Sequence, residues 1–244
     1  MKQHVPNIIT CCNLVCGCVA TVSAISGNPV MALVFIILGA GFDFFDGMSA
    51  RLLNVSSEIG KELDSLADDI TFGVAPASII FYELQVVDYP QMMECLRPVL
   101  PYTAYIVAAF SAIRLAKFNL DTRQTTSFIG LPTPANALFW GSLIVGAGAW
   151  LETFSWFMPC ILIGIIVSSW LLVAEIPMFA LKFKHWGIKG NEVRYTFILL
   201  SALILLATVA LGIAWENYGI CYSGFSIIIL IYVLVSIIVD RKNR

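Results

Sequence analysis

The chain has 244 residues, of which 59% are hydrophobic and only 12% charged, and its mean hydropathy is +0.87. Soluble domains contain roughly 25% charged residues, so this composition excludes an ordinary soluble protein and indicates a polytopic membrane protein. The formal net charge of −2 excludes nothing, because the distribution of charge between the two sides of a membrane matters more than its sum. None of the seven cysteines forms a Cys-x-x-Cys pair, so neither a cysteine metal site nor a disulfide framework is predicted.

Eight apolar runs are long enough to cross a bilayer, which takes roughly 17 to 25 residues for a helix. The sequence therefore predicts an all-α fold, a polytopic membrane helix bundle with about eight transmembrane helices. We treat residues 1–244 as one membrane domain, because no repeat or linker divides them. The predicted spans lie near 8–25, 30–50, 59–82, 101–118, 134–151, 157–176, 195–215 and 223–239.

The distribution of basic residues predicts the orientation of the chain. Eight spans put both termini on one side, and every one of the 14 Lys and Arg residues except Arg97 falls on that side. The positive-inside rule then predicts a multi-pass protein of the cell (inner) membrane with both termini in the cytoplasm. The acids predicted to lie in the opposite loops, Glu83 and Asp88 among them, are expected in solvent.

Polar side chains recur along the first span. Asn7, Thr10 and Asn13 are spaced three residues apart and so stay near one face of a helix. At the end of a membrane helix they could hydrogen-bond a nucleotide head group. The alternative is helix capping by Asn7 and interhelical hydrogen bonds from the other two.

Four aspartates between two apolar runs are the strongest signal in the chain. Asp43 and Asp46 share one helix face, and Asp64 and Asp68 share another. A short link, residues 52–57, joins these helices, with Ser56 or Ser57 as the expected N-cap. Two carboxylates about 4 Å apart repel by roughly 4 kcal/mol at an effective dielectric constant near 20. Such a cluster needs cations, and hard divalent ions such as Mg²⁺ or Mn²⁺ suit oxygen ligands.

The spacing of these residues resembles a known signature. The pattern Asp-x-x-Asp-Gly-x-x-Ala-Arg, eight residues, then Gly-x-x-x-Asp-x-x-x-Asp is similar to that of the CDP-alcohol phosphatidyltransferase family. The positions that match are Asp43, Asp46, Gly47, Ala50, Arg51, Gly60, Asp64 and Asp68.

Two further blocks resemble one branch of that family, the integral-membrane phosphatidylserine synthases. The first holds Arg114, Lys117 and Asn119 at the end of the fourth span, where the two cations could bind a carboxylate or a phosphate. The second, Gly-Leu-Pro-Thr-Pro-Ala at 130–135, precedes the fifth span. The Asn7, Thr10 and Asn13 pattern also resembles the start of these synthases.

The resemblance implies the transfer of a phosphatidyl group from CDP-diacylglycerol to the hydroxyl of L-serine, with release of CMP. It implies two ions, Mg²⁺ or Mn²⁺, held by Asp43, Asp46, Asp64 and Asp68, with Asp68 as the catalytic base. It covers roughly residues 1–185, a catalytic core followed by two further helices at 195–239. It implies that CDP-diacylglycerol is bound by Asn7, Thr10, Asn13, Gly47, Arg51 and Gly60, and serine or phosphate by Arg114, Lys117 and Asn119.

Other readings of the same residues stay open at this point. The acceptor could be glycerol 3-phosphate or inositol, and from another class the acids could serve a cation transporter. Glu175 is expected at the membrane interface. The basic and aromatic run at 182–189 is expected to touch anionic membrane lipid and not nucleic acid. A homodimer is compatible with the sequence.

Overall fold

The computed structural model describes residues 4–55, 57–121, 128–151, 154, 156–179, 187 and 191–243. The predicted all-α class is confirmed. Within these residues the regular structure other than helix is a pair of antiparallel two-residue strands, in which Phe128 pairs with Met178 and Ile129 with Pro177.

The helices follow one another with short connections. The elements are α1 (His4–Ile25), α2 (Pro29–Leu53), α3 (Glu58–Asp68), a π-helical turn (Asp69–Val74), α4 (Ala75–Val86), two 3₁₀ turns (Gln91–Leu96 and Leu100–Ala104), α5 (Tyr105–Leu120), β1 (Phe128–Ile129), α6 (Thr133–Leu151), α7 (Phe157–Val173), β2 (Pro177–Met178), α8 (Glu192–Ala214) and α9 (Gly219–Asn243).

Local sequence explains where the helices around the acidic signature begin and end. The side chain of Asn28 accepts a hydrogen bond from the Met31 amide and so caps the start of α2. The residue that follows the last residue of α2, Asn54, is in the left-handed conformation with φ 52° and caps its other end. The hydroxyl of Ser57 accepts from the Gly60 amide at 3.0 Å and caps α3. The prediction of a cap at this link is confirmed for Ser57, while Ser56 lies outside the described residues.

Four helices are long and apolar enough to cross a membrane, by length and composition. They are His4–Ile25, Pro29–Leu53, Glu192–Ala214 and the first 21 residues of the last helix, Gly219–Val239. A described helix also lies at each of the other four predicted spans. The third predicted span is less uniform than expected, because α3 is strongly charged and a π-helical turn separates it from α4. A count of eight transmembrane helices therefore stays a prediction.

Close packing of small residues holds the first helices together. A Cβ atom at Gly17 of α1 would lie 2.8 Å from the Thr71 Cα atom in the π-helical turn, which leaves no room for a side chain. The Thr71 hydroxyl donates to the Asn13 carbonyl at 3.0 Å and joins the same two elements. Glycine at such a crossing lets two backbones approach and so fixes their spacing.

The last two helices pack against the preceding part of the chain. A Cβ atom at Gly146 of α6 would lie 2.9 Å from the Cα atom of Ser223 in α9. The Tyr232 hydroxyl of α9 donates to the Phe179 carbonyl just after β2, at 3.0 Å. The ring of Tyr232 also lies 4.9 Å from that of Phe179 and 5.8 Å from that of Phe197 in α8. These contacts join α9 to the segment after α7.

The expectation that Glu83 lies in a solvated loop is wrong. Glu83 belongs to α4, and only 4% of it is exposed. The predicted span ended at residue 82, whereas α4 continues to Val86 and so includes Glu83. Asp88, in contrast, is exposed beyond the end of that helix, as predicted.

Candidate active site

Three of the four signature aspartates meet at one point. Asp43 of α2 and Asp64 and Asp68 of α3 each offer a carboxylate oxygen, and the three oxygens lie within 4.8 Å of one another. The helix faces predicted from the i, i+3 and i, i+4 spacings therefore point towards a common place, while α1 packs against both α2 and α3. The sequence-based expectation of a shared carboxylate cluster is thus met for these three residues.

Asp46 belongs to the same face of α2, but lies beside α1. It is 6% exposed, and its Oδ2 atom lies 2.7 Å from the Thr10 hydroxyl, which donates to it. The same hydroxyl is 3.0 Å from the Pro6 carbonyl, and its single proton can serve only one acceptor at a time. Thr10 therefore orients Asp46 and leaves the second carboxylate oxygen free of this bond.

Asn13 has the corresponding role for Asp68. Asn13 is fully buried, and its side-chain amide donates to Asp68 Oδ1 at 3.1 Å. The interhelical hydrogen bonding left open for Thr10 and Asn13 is therefore observed for both residues. Asn13 thus holds Asp68 by this bond, and its predicted contact with CDP-diacylglycerol stays a prediction.

The carboxylate cluster has the chemistry of a divalent metal site. At 4.8 Å each pair of negative charges repels by about 3.5 kcal/mol at an effective dielectric constant near 20. No Lys or Arg makes an ion pair with Asp43, Asp64 or Asp68 in the described part of the chain, where the ion pair found is Arg97 with Glu94. The Asp64 Oδ1 atom is buried there without a hydrogen-bond partner. An all-oxygen site with an unsatisfied buried ligand atom fits Mg²⁺ or Mn²⁺.

A cavity of about 260 Å³ opens beside this cluster. It lies between the starts of α1 and α3 and the last turns of α2. Its wall includes Asp46 and Asp64 and also four residues predicted to bind substrate, which are Asn7, Thr10, Gly47 and Gly60. The remaining lining residues are Pro6, Ala50, Val55, Ser57 and Lys61.

The two signature glycines have different surroundings. A Cβ atom at Gly60 would lie 3.1 Å from the Asn7 Oδ1 atom, so this glycine allows α1 and α3 to approach closely. A Cβ atom at Gly47 would meet nothing within 4 Å. Helix packing therefore explains Gly60 but not Gly47, which borders empty space in the cavity.

Arg51 lies at the exposed end of α2. Its Nε atom donates to the Gly47 carbonyl at 2.9 Å. This bond anchors the guanidinium one turn from the cavity wall and leaves its terminal nitrogens available to an anion.

The basic residues of α5 lie at a second cavity, of about 280 Å³. Arg114 and Lys117 line it together with Glu175, which is exposed. Arg114 is only 7% exposed, and its guanidinium lies 5.0 Å from the centre of the Phe118 ring. The end of α5, which lines this cavity, is hydrogen-bonded to α3, the helix that carries Asp64 and Asp68.

Asn119 joins α5 to α3. Its side-chain amide nitrogen donates to the Ser65 hydroxyl at 2.7 Å, and its main-chain carbonyl accepts from Lys61 Nζ at 2.9 Å. The predicted role of Asn119 in binding substrate stays a prediction.

Sequence reasoning missed two residues of this region. Lys61 lines the first cavity, and Tyr232 of α9 belongs to the apolar cluster against which Phe110 of α5 packs, in the same helix as Arg114. For Lys61 the signal was its place directly after Gly60 in the signature. No signal in the sequence connects Tyr232, 118 positions later, with Arg114. The run at 182–189, apart from Gly187, lies outside the described residues.

A membrane-type helical fold with a carboxylate cluster beside a cavity is the arrangement that the sequence signature predicts for a CDP-alcohol phosphatidyltransferase. Residues 3–150 match the profile of the CDP-alcohol phosphatidyltransferase family, more than half of the chain, and the chain belongs to that family.

Several relatives in the family carry a more specific name. A CDP-diacylglycerol–serine O-phosphatidyltransferase of Bacillus subtilis is 36% identical over 184 residues, 75% of this chain and 92% of the relative. One from Mycobacterium leprae is 33% identical over 188 residues, 72% of this chain and 58% of the relative. One from Helicobacter pylori is 39% identical over 135 residues, 54% of each chain.

Proposed function

We propose that this protein transfers the phosphatidyl group of CDP-diacylglycerol to the hydroxyl of L-serine, giving phosphatidylserine and CMP. The observation that supports it best is the carboxylate cluster beside a cavity in a family of CDP-alcohol phosphatidyltransferases. The relatives named for serine support this acceptor over glycerol 3-phosphate or inositol.

Asp43, Asp46, Asp64 and Asp68 would hold two divalent ions, Mg²⁺ or Mn²⁺. The three converging oxygens and the unpartnered Asp64 Oδ1 atom support this assignment. When bound, such ions neutralise the pyrophosphate and the charge that develops on the departing CMP. Thr10 and Asn13 keep Asp46 and Asp68 in place through their hydrogen bonds.

Asp68 is the base in this proposal. Its Oδ1 atom accepts a hydrogen bond from Asn13. The carboxylate would accept the proton of the serine hydroxyl as the serine oxygen attacks phosphorus and CMP leaves. Asp68 belongs to α3, which is hydrogen-bonded to the end of α5 beside the second cavity. An acceptor held there would have its hydroxyl near this carboxylate.

The first cavity would take the nucleotide head of CDP-diacylglycerol. Asn7 and Thr10 line it with polar atoms, and Gly47 leaves room for a phosphate to approach the backbone. Gly60 keeps α1 and α3 close, and Arg51 is anchored one turn away as a partner for phosphate.

A membrane site at the cytoplasmic ends of the helices suits these substrates. The diacylglycerol chains must stay in the bilayer, whereas CMP and serine are water-soluble. We therefore propose eight transmembrane helices in the cell (inner) membrane, with both termini and the site in the cytoplasm. The basic side predicted from the Lys and Arg residues supports this topology. Residues 1–244 form one membrane domain in this proposal, and a homodimer is compatible with it.

The test is an assay of CMP release by the purified protein in lipid nanodiscs containing CDP-diacylglycerol. With Mg²⁺ or Mn²⁺ present, serine should stimulate release and phosphatidylserine should form in equal amount. Stimulation by glycerol 3-phosphate or inositol in place of serine would overturn the assignment of the acceptor. Cation flux into liposomes with no CMP release would favour a transporter.

A further inference from the structure

The second cavity contains charges of both signs. Arg114 and Lys117 enter it from α5, Asp121 lines it directly after α5, and Glu175 enters it from the segment between α7 and β2. Asp121 has an interaction of its own. Within the described residues, Arg114, Lys117 and Glu175 form no ion pair or hydrogen bond with one another, although they line one space of about 280 Å³. Two cations and the Glu175 carboxylate thus lie around a common space without neutralising each other.

Arg114 shows that this space needs a ligand. It is 7% exposed, and its Nε atom is buried without a hydrogen-bond partner among the described residues. A buried cation is costly unless an anion or hydrogen-bond acceptors satisfy it. The Phe118 ring covers one face of the guanidinium and leaves the donors at its edge for a planar anion such as a carboxylate.

We propose that the second cavity binds the acceptor as a zwitterion, with Arg114 and Lys117 on its carboxylate and Glu175 on its ammonium group. This inference rests on the proposed function and adds Glu175 as a specificity residue. An ammonium group beside Glu175 gains a charge-assisted hydrogen bond, whereas a phosphorylated alcohol would bring a second negative charge towards the same carboxylate. Glu175 therefore favours an amino acid over glycerol 3-phosphate, which the two cations alone would also attract.

The position of the cavity agrees with the reaction. The end of α5 is hydrogen-bonded to α3 through Asn119, so an amino acid bound by Arg114 lies beside the helix that carries Asp64 and Asp68. Serine carries its hydroxyl one carbon from the atom that bears both charged groups. Holding those groups by Arg114 and Glu175 orients the hydroxyl towards one place.

The experiment compares serine with two analogues that each lack one charge, 3-hydroxypropionate without the ammonium and ethanolamine without the carboxylate. For Glu175→Gln in nanodiscs with CDP-diacylglycerol, the KM for serine should rise about tenfold and the KM for CDP-diacylglycerol should not change. The same variant should use 3-hydroxypropionate within twofold of the wild-type rate. Arg114→Gln should impair serine and 3-hydroxypropionate far more than ethanolamine.

Two controls make the result specific. Glu175→Asp keeps the charge and should stay within about threefold of the wild-type KM for serine, and Glu216→Gln removes an exposed carboxylate from the loop between α8 and α9 and should change nothing. A KM for serine within twofold of wild type in Glu175→Gln overturns this inference alone. A wild-type protein that releases no CMP with serine overturns the proposed function as well.

Discussion

Replacing Asp64 by asparagine separates the stability of the carboxylate cluster from its binding of metal. Asparagine has nearly the same shape as aspartate but no charge, so the helices should keep their packing. Asp64 is half-buried, and its Oδ1 atom has no hydrogen-bond partner among the described residues. The side-chain amide of an asparagine could donate to the neighbouring carboxylates.

The distances give the sign and the size of the effect. Each carboxylate pair in the cluster, at up to 4.8 Å, repels by about 3.5 kcal/mol or more at an effective dielectric constant near 20. Asp64 takes part in two of the three pairs, so its neutralisation removes about 7 kcal/mol of repulsion or more if all three carboxylates are ionised. Protonation of one carboxyl relieves part of this in the wild type. We expect Asp64→Asn to be more stable by about 1–3 kcal/mol without divalent ions.

The order of stabilities should reverse when metal is added. A divalent ion present at one hundred times its dissociation constant for the folded wild type stabilises that protein by about 2.7 kcal/mol. The same ion concentration should stabilise Asp64→Asn much less. The assay is thermal unfolding in nanodiscs with EDTA, Mg²⁺ or Mn²⁺, beside serine-dependent CMP release, which Asp64→Asn should lose.

Asp88→Asn, a change at an exposed acid beyond α4, is the matched control and should shift stability by less than about 0.5 kcal/mol. The reasoning is refuted if Asp64→Asn is no more stable than wild type in EDTA. It is refuted equally if divalent ions stabilise both proteins to the same extent or if the variant keeps its activity.

Three further substitutions test the surroundings of the cluster. Asn13→Ala removes the hydrogen bond to Asp68 and should lower Mn²⁺ affinity or activity about 10- to 100-fold. The measurement is CMP release as a function of Mn²⁺ concentration, and an unchanged metal dependence would contradict the positioning role of Asn13. Gly17→Ala should destabilise the protein by about 1–3 kcal/mol in thermal unfolding, because the new Cβ atom would lie 2.8 Å from the Thr71 Cα atom. A variant as stable as wild type would show that the contact between α1 and the π-helical turn can relax. In Gly47→Ala the new Cβ atom would have no neighbour within 4 Å, so the free energy of unfolding should not change. The KM for CDP-diacylglycerol should rise. A loss of stability with normal kinetics would instead show that Gly47 is needed for packing.

The pairing of the aspartates was predictable because it depends on helix geometry alone. Spacings of three and four residues place Asp43 with Asp46 and Asp64 with Asp68 on any α-helix. The Ser57 cap was predictable for a similar reason, since a serine before a glutamate at the start of a helix satisfies free amides in any context. These features use only residues close together in the chain.

The roles of Thr10 and Asn13 needed the tertiary structure. Their spacing showed one polar helix face, but it could not distinguish contact with a nucleotide from bonds to Asp46 and Asp68. That choice depends on which helix packs against α1. The two signature glycines, alike in sequence, differ for the same reason, because only Gly60 has a neighbouring side chain close to its Cβ position.

The sequence alone was enough to predict the membrane class, the helical fold and the acidic signature. Composition and helical periodicity are properties of each segment by itself. The tertiary structure decided that Glu83 is buried, that α9 and α5 contribute to one apolar cluster, and that Glu175 shares a cavity with Arg114 and Lys117. Those facts depend on the approach of helices far apart in the chain. Side-chain shape and small residues at helix crossings determine that approach, and neither property has a periodic signal in the sequence.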